Sequence, residues 1–189
     1  MPIFDHFDFL APWYDRFIYS PPDDLFHSLL GENPRRVLDA GGGTGRVSRR
    51  LQADDRWIVL ADASLKMLRH AVLAGEYGRV ASATEHLPFR SGSFDCVILV
   101  DTLHHVQDQR QTLAELWRVV APGGRLLVEE PDIRRFPVKL IAVGEKLALM
   151  RSHFLSGEQV ASLLGELGVE PVLHRKLHTV WVVADKPQV

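Results

Sequence analysis

A glycine-rich turn is the first feature of this sequence that could do chemistry. Four glycines fall within five positions of the segment Asp39-Ala40-Gly41-Gly42-Gly43-Thr44-Gly45. Glycine adopts backbone dihedrals that other residues avoid, and it lets a ligand approach bare backbone. A helix that starts near Thr44 would also direct unpaired N–H groups at the ligand's acceptor atoms. The turn therefore predicts a binding site for a nucleotide-like ligand, with a tight turn that binds nothing as the alternative interpretation.

Two nearby positions narrow the class of ligand. A dinucleotide fingerprint requires glycine three positions after Gly43, and Arg46 stands there. A triphosphate-binding loop requires a lysine pattern that does not follow the turn. Asp62 lies 21 residues after Gly41, where a carboxylate can accept hydrogen bonds from both ribose hydroxyls. We therefore expect a cofactor with a nucleoside, although Asp62 could instead stabilise the start of the next helix.

The elements that must position these residues alternate along the chain after Pro34. Short apolar runs and helix-period stretches follow each other, which is typical of a mainly parallel sheet covered by helices. We predict strands over 36–39, 57–62, 79–83, 95–100 and 125–129 and helices over 44–51, from Ser64, around 113–120 and from Ser156 to Gly168. The Pro122-Gly123-Gly124 turn is expected to end the third of these helices.

The last two predicted strands add a hairpin to this sheet. They cover about 170–174 and 177–184, and so few residues join them that they must pair antiparallel. The run over 95–100 is continuously apolar after its aspartate, so that strand is expected at the centre of the sheet.

Length and composition indicate one globular domain over residues 1–189. The chain is 46% hydrophobic with a formal net charge of −2, which favours a small-molecule substrate over nucleic acid. The single cysteine, Cys96, excludes an internal disulfide, and we expect no metal site, no membrane-spanning segment and a cytoplasmic location. The protein is expected to be a monomer or a homodimer.

Two segments lie outside the alternation and are expected to act as lids. The first is an aromatic-rich N-terminal lid over 1–26, and the second is a substrate-cap insertion over 131–154. Residues of the second segment repeat at helical spacing and form one apolar stripe, which would pack in the core or wall a substrate pocket. The stripe consists of Phe136, Leu140, Val143, Leu147, Met150 and Phe154.

Four blocks in order resemble the class I S-adenosylmethionine-dependent methyltransferases of type 11, especially the branch of the ubiquinone and menaquinone C-methyltransferases. They are 37–45, 61–68, 87–95 and the pair formed by Leu103-His104-His105-Val106 and Pro122-Gly123-Gly124. The resemblance covers about residues 9–186. It implies an α/β fold, a Rossmann-like three-layer α/β/α sandwich whose mostly parallel seven-stranded sheet has an antiparallel last strand.

The resemblance also implies how S-adenosylmethionine is held. Asp39, Gly41 and Gly43 would surround its methionine portion, Asp62 would hold the ribose, and Ala63 would lie against adenine. Where the family usually has an acid for the adenine amino group, this chain has Ala83, so Thr84 or Glu85 would supply the polar contact. Asp101 would abut the cofactor and face the substrate, and Tyr14 of the N-terminal segment would close over the cofactor.

Methyl transfer from a sulfonium depends mainly on an in-line approach of the acceptor, which positioning alone can promote. Where the acceptor must lose a proton, His104, His105 or Asp101 could remove it, and packing or capping is the alternative role of the two histidines. We therefore expect an enzyme that methylates a small molecule. The alternatives are a non-catalytic regulatory module that binds S-adenosylmethionine, motivated by Ala83, and a nicotinamide oxidoreductase, which Arg46 disfavours.

Overall fold

The computed structural model describes residues 23–53, 55–71, 77–147 and 152–188. Within them, seven strands form one sheet: β1 (Arg36–Ala40), β2 (Trp57–Asp62), β3 (Tyr77–Ala81), β4 (Phe94–Val100), β5 (Val120–Pro131), β6 (Val172–Lys176) and β7 (Thr179–Asp185). The helices are α1 (Asp23–Leu29), α2 (Leu65–His70), α3 (Gln109–Val119), α4 (Phe136–Leu147) and α5 (Gly157–Gly165), with 3₁₀ turns at Ser48–Arg50 and Leu103–His105.

The strand order is β3-β2-β1-β4-β5-β7-β6. Strands β1 to β5 pair parallel to one another, while β7 is antiparallel to both of its neighbours. The order reverses between β1 and β4, and ligands of open α/β sheets bind at such a switch point, beyond the carboxyl ends of the strands. The predicted fold class, including the antiparallel last strand, is confirmed.

Helices cover both faces of the sheet. On one face, α3 and α5 pack Leu113, Leu116 and Leu164 against the central strands. On the other face, Phe26 and Leu29 of α1 pack with Trp181 of β7. Because the central strands are buried on both faces, their continuous apolar sequence follows from their position.

Several helix starts follow the predicted local chemistry. Ser64 caps α2, since its hydroxyl oxygen accepts the backbone N–H of Met67 at 3.1 Å. Ser156 and Gln159 form a reciprocal capping box at the start of α5, in which each side chain pairs with the other's backbone N–H. Packing against β7 leaves no room for a side chain at Gly157, because a Cβ there would lie 2.5 Å from Cγ2 of Val180.

Two local predictions are wrong. The segment 44–51 forms turns and only a short 3₁₀ helix, because Gly45 has φ +77°, outside the right-handed helical region. The Pro122-Gly123-Gly124 tripeptide does not end the helix, since α3 already ends at Val119. It interrupts β5 instead, so that pairing with β4 shifts from Phe94 opposite Val120 to Cys96 opposite Arg125.

The segment 131–154 contains α4, which sits on the core through Val138, 2% exposed. Its stripe residues Phe136, Leu140 and Val143 are 72%, 58% and 56% exposed, so core packing is wrong for these three side chains. Met150 lies outside the described residues. Among the residues that are described, no helix combines the length and apolarity that crossing a membrane requires.

Candidate functional site

A cavity of about 240 Å³ opens beyond the carboxyl ends of β1, β2 and β4. Its walls come from the glycine turn, from the end of β2 and from the two loops that follow β3 and β4. Most of the residues predicted for the cofactor line it: Asp39, Gly41, Gly43, Asp62, Ala63, Thr84, Glu85 and Asp101. The structure therefore brings into one cavity residues that are separated by up to 62 positions in the chain.

The three glycines at the start of the turn serve different purposes. A Cβ on Gly41 would collide with the side chain of Thr102, and one on Gly42 would collide with Leu60 and Asp39. A Cβ on Gly43 would meet only Cε of Met67, at 3.9 Å, although its φ of +56° still favours glycine. Gly41 and Gly42 are thus required by packing, and Gly43 leaves open space on the cavity side.

Asp39 places a buried carboxylate in the floor of the cavity. Its Oδ2 accepts the backbone N–H and the hydroxyl of Ser48, at 3.1 and 2.5 Å. Its Oδ1 is buried without a hydrogen-bond partner, which is costly for a carboxylate. Burial raises the pKa of Asp39 to about 6, against the opposing effects of the Ser48 hydrogen bond and the positive charge of Arg46. A donor or cation delivered by a ligand would satisfy Oδ1.

Asp62 joins the glycine turn to the start of α2. Its Oδ2 accepts the N–H of Gly43 at 2.9 Å, and its Oδ1 accepts the N–H of Ser64 at 2.7 Å. These two contacts fix the orientation of the carboxylate at the cavity wall. Both interpretations of Asp62 from the sequence, ligand binding and support of the helix start, are compatible with this geometry.

The polar atoms of Thr84 and Glu85 make contacts within the protein. The Thr84 hydroxyl lies 3.3 Å from that of Thr112. Oε1 of Glu85 accepts the backbone N–H of Gln107 at 2.9 Å, which ties the loop after β3 to the loop after β4. Ala83 and Ala63 also line the cavity. This end of the cavity is therefore braced by Glu85, and a new ligand contact would share an acceptor that already has a partner.

Asp101 lies directly after β4 in a strained backbone conformation. Its φ of +53° is rare outside glycine, asparagine and aspartate, and its N–H donates to the carbonyl of Glu129 at 3.0 Å. Burial raises the pKa of Asp101 above its ordinary value, with a further contribution from the charge of Glu130. Strain of this kind concentrates at functional sites, and Asp101 lines the cavity.

Glu129 is another buried acidic side chain, and the sequence analysis did not single it out. It lies opposite Val100 on β4 and Trp181 on β7, so its side chain points to the α1 face of the sheet. The side chain is buried, and its Oε2 has no hydrogen-bond partner. Burial and repulsion from Asp101 raise the pKa of Glu129 to about 8. Its sequence signal is a pair of acids at the end of an apolar strand.

The two predicted catalytic histidines occupy different environments. His105 lines the cavity, and burial together with the neighbouring His104 lowers its pKa to about 3. His104 is 2% exposed and does not line the cavity, and its Nδ1 lies 2.5 Å from Oε2 of Glu130. A Phe154 ring stacks on it, with ring centroids 4.2 Å apart. His104 is therefore part of the protein interior.

Glu130 organises the turn that carries both histidines. Its Oε1 accepts the backbone N–H groups of Thr102 and Leu103, at 3.0 and 2.7 Å. The Thr102 hydroxyl in turn lies 2.8 Å from the carbonyl oxygen of Val100 and 3.2 Å from that of Gly41. Glu130 was not singled out by the sequence analysis either.

Tyr14, the remaining predicted cofactor contact, lies outside the described residues. Within the described residues, no cluster of three or more His, Cys, Asp or Glu is arranged to hold a metal.

Cys96, the single cysteine, is fully buried in β4, and burial raises the pKa of its thiol to about 12. A protonated and inaccessible thiol is a poor nucleophile. The sulfur therefore belongs to the core, as the apolar sequence around it predicts.

Comparisons with known proteins agree with this geometry. Residues 38–128 match the methyltransferase domain family. The chain is 39% identical over 106 residues to the ubiquinone/menaquinone biosynthesis C-methyltransferase UbiE of Haemophilus ducreyi, over 51% of this chain and 41% of that protein. It is 36% identical over 139 residues to the UbiE of Edwardsiella ictaluri, over 67% of this chain and 54% of that protein. The match thus spans about half or less of these relatives' length.

Solved structures share the fold over nearly the whole chain. One chain of the complex between the Haloferax volcanii Trm112 methyltransferase activator and a protein described as a putative methyltransferase superposes with a TM-score of 0.80 at 17% identity, over 98% of this chain and 99% of its own. A Thermotoga maritima protein described as a possible histamine N-methyltransferase gives 0.74 at 21% identity, over 95% and 97% of the two chains. The [4+2]-cyclase SpnF gives 0.72 at 17% identity, over 88% of this chain and 81% of its own.

The strand order of the sheet and the cavity at its switch point are those of the Rossmann-like, class I methyltransferase fold. Over residues 38–128 the chain matches the methyltransferase domain family, and it is similar to S-adenosylmethionine-dependent methyltransferases in sequence and in fold. Family and fold imply S-adenosyl-L-methionine as the cofactor. The residues present fit it, because Oδ1 of Asp39 lacks a partner and Gly43 leaves open space in the same cavity.

Proposed function

We propose that this protein transfers a methyl group from S-adenosylmethionine to a small-molecule acceptor. The observation that carries the proposal is the unpartnered, buried Oδ1 of Asp39 beside the open face of Gly43. The match to the methyltransferase domain family supports it. As in the sequence-based expectation, the domain extends over residues 1–189 with 131–154 as the cap on the acceptor side.

The chain's own residues divide the binding task. Asp39 accepts hydrogen bonds from the ammonium of the methionine portion, and Asp62 accepts the ribose hydroxyls while Gly43 and Ser64 hold its carboxylate in place. Ala63 packs against adenine. The cationic cofactor is favoured electrostatically, because acidic residues in the cavity wall outnumber its arginine, Arg46. The acidic residues are Asp39, Asp62, Glu85 and Asp101.

The bound cofactor supplies an electrophilic methyl group on a sulfonium. An acceptor that must lose a proton to receive this methyl group would pass the proton to a base of the protein. Asp101 is the protein group best placed to take that proton, because it lines the cavity and burial raises its pKa. His105, with a pKa of about 3, is a weaker base, and His104 is enclosed by Glu130 and Phe154.

Calorimetry with S-adenosylhomocysteine tests the cofactor assignment. We expect micromolar binding to the wild type and a loss of about 10-fold or more for Asp62→Ala, since two hydrogen bonds to a charged acceptor are removed. Asp101→Asn should retain binding but lose turnover with acceptors that must be deprotonated. No binding to the wild type at millimolar concentration would contradict the proposal. A panel of phenols, quinols, amines and thiols with labelled S-adenosylmethionine would identify the acceptor.

A second candidate is a binding module without turnover. The contacts of Glu85 and Thr84 within the protein favour it, because the usual acid for the adenine amino group is replaced by Ala83. Tight binding of S-adenosylhomocysteine with no product from any acceptor in the panel would support this candidate, and any methylated product would contradict it.

A further inference from the structure

A short segment at the end of the predicted cap lies against the turn Leu103–His105, here called the histidine turn, at the cavity. Residues 152–155, here called the strap, precede α5. Leu155 packs against the core, and the contacts of the other three residues include four with this turn and with α3. The N–H of His153 donates to the carbonyl of His104 at 2.7 Å. The Ser152 hydroxyl lies 3.2 Å from Nδ1 of His105. Phe154 stacks on His104, and Gln109 contributes the fourth contact.

Gln109 is the residue that bridges the two segments. As the first residue of α3, its Nε2 donates to the carbonyl of Leu103 at 3.0 Å and to the carbonyl of His153 at 2.6 Å. One side-chain amide therefore satisfies a carbonyl on each side of the contact. These two hydrogen bonds require the strap and the turn to be in register with each other.

We infer that Gln109 is a positioning residue that latches the strap onto the histidine turn and so sets the wall that His105 contributes to the cofactor cavity. His105, Val106 and Gln107 of this turn line the cavity. Since residues 152–154 of the strap form the end of the predicted substrate cap, the latch couples the acceptor side of the protein to cofactor binding. The latch itself is inferred from the contacts alone, whereas its effect on the affinity for the cofactor rests on the proposed function.

Docking of the strap is opposed by the conformational entropy that its chain loses when it is held in place. The four contacts are three single hydrogen bonds and one ring stack, so this part of the strap is the kind of local unit that opens without global unfolding. Loss of the amide donation to His153 should shift the docking equilibrium about 10-fold toward the open state, given the usual net value of such a bond, while the donation to Leu103 is the same in both states. If cofactor binds the docked form, its apparent affinity falls with the docked fraction.

The test compares Gln109→Met with the wild type and with Arg110→Ala. Methionine has nearly the same shape and helix propensity as glutamine but donates no hydrogen bond. Arg110 is the next residue on α3, and its ion pair with Glu166 is exposed, so it controls for changes to the helix surface. All variants are full-length and ligand-free for the first measurement.

In amide hydrogen exchange by NMR, we expect Gln109→Met to accelerate exchange of the His153 amide about 10-fold while the amides of Leu116 and other α3 residues keep their rates. The Nδ1 chemical shift of His105 should move with it. Arg110→Ala should change neither. A His153 rate within about twofold of the wild type, or equal acceleration throughout α3, would overturn the inference, because the second pattern indicates a general loss of helix stability.

In calorimetry with S-adenosylhomocysteine, Gln109→Met should raise the Kd about 3- to 10-fold and Arg110→Ala should leave it unchanged. A wild type that does not bind would contradict the proposed function, while the exchange data would still decide the latch. A wild type that binds together with an unchanged Kd in Gln109→Met would overturn the coupling to the cofactor.

Discussion

Nδ1 of His104 lies 2.5 Å from Oε2 of Glu130, with both side chains almost fully buried. The other oxygen of the same carboxylate accepts the N–H groups of Thr102 and Leu103. One glutamate at the end of β5 thus satisfies three donors on the loop after β4. The arrangement explains why a histidine from a predicted catalytic pair lies in the interior.

Glu130→Ala should therefore destabilise the protein by about 2–4 kcal/mol, since it leaves two backbone N–H groups and a buried imidazole without an acceptor. Urea denaturation followed by circular dichroism measures this change. Glu32→Ala, at an exposed position, is the control and should stay within about 0.5 kcal/mol. A Glu130→Ala variant as stable as the control would show that water replaces the carboxylate.

The sequence was informative wherever the determining interaction is local or periodic. The continuous apolar run of β4 marks a strand buried on both faces, and Ser156 with Gln159 marks a helix start three residues apart. Glu130 could not be recognised this way, because its partners lie 26 to 28 positions earlier and meet it only across the sheet.

The mispredicted helix over 44–51 has a similar physical cause. Val47 and Leu51 have helical spacing and both are buried, so the pattern was present. Gly45 nevertheless takes a positive φ, and the Asp39 carboxylate binds the N–H of Ser48, which together hold the segment in a tighter turn. The location of the site was predicted better. The sequence pattern indicated parallel strands, and because parallel strands end at one edge of the sheet, the residues at the ends of β1, β2 and β4 line one cavity.

Binding of S-adenosylhomocysteine should depend on pH through Asp39. Its pKa of about 6 in the free protein means that the carboxyl is mostly protonated at pH 5. A bound ammonium favours the ionised form, so the proton must leave on binding, and affinity should rise about 10-fold from pH 5 to pH 7. Calorimetry across this range measures the change. Asp39→Asn should bind more weakly and with little pH dependence, and an equally steep profile in that variant would assign the proton to another group.

Glu129 should make stability fall as pH rises. Its pKa of about 8 in the folded protein exceeds the ordinary value of 4.5, so the folded state holds a proton that the unfolded state releases. The resulting stabilisation is complete below pH 4.5 and is lost as pH rises through 8. Glu129→Gln removes this titration and should be the more stable protein at pH 8 by a few kcal/mol. Urea titrations of both proteins at pH 5, 6.5 and 8 measure the gap, and a gap that does not widen with pH would contradict the assignment.

On α4, alanine in place of the smaller side chain, Val138, should destabilise the protein more than alanine in place of the larger one, Leu140. Val138 is 2% exposed and Leu140 is 58% exposed. Val138→Ala removes less side chain but creates a void in the core, and it should cost about 1–3 kcal/mol. Leu140→Ala removes more and should cost less than about 0.5 kcal/mol, because its side chain contributes little buried area. Urea denaturation at two protein concentrations measures both changes. A large cost for Leu140→Ala that grows with concentration would mean that a second copy covers this face, whereas a large cost independent of concentration would mean that another part of the same chain does.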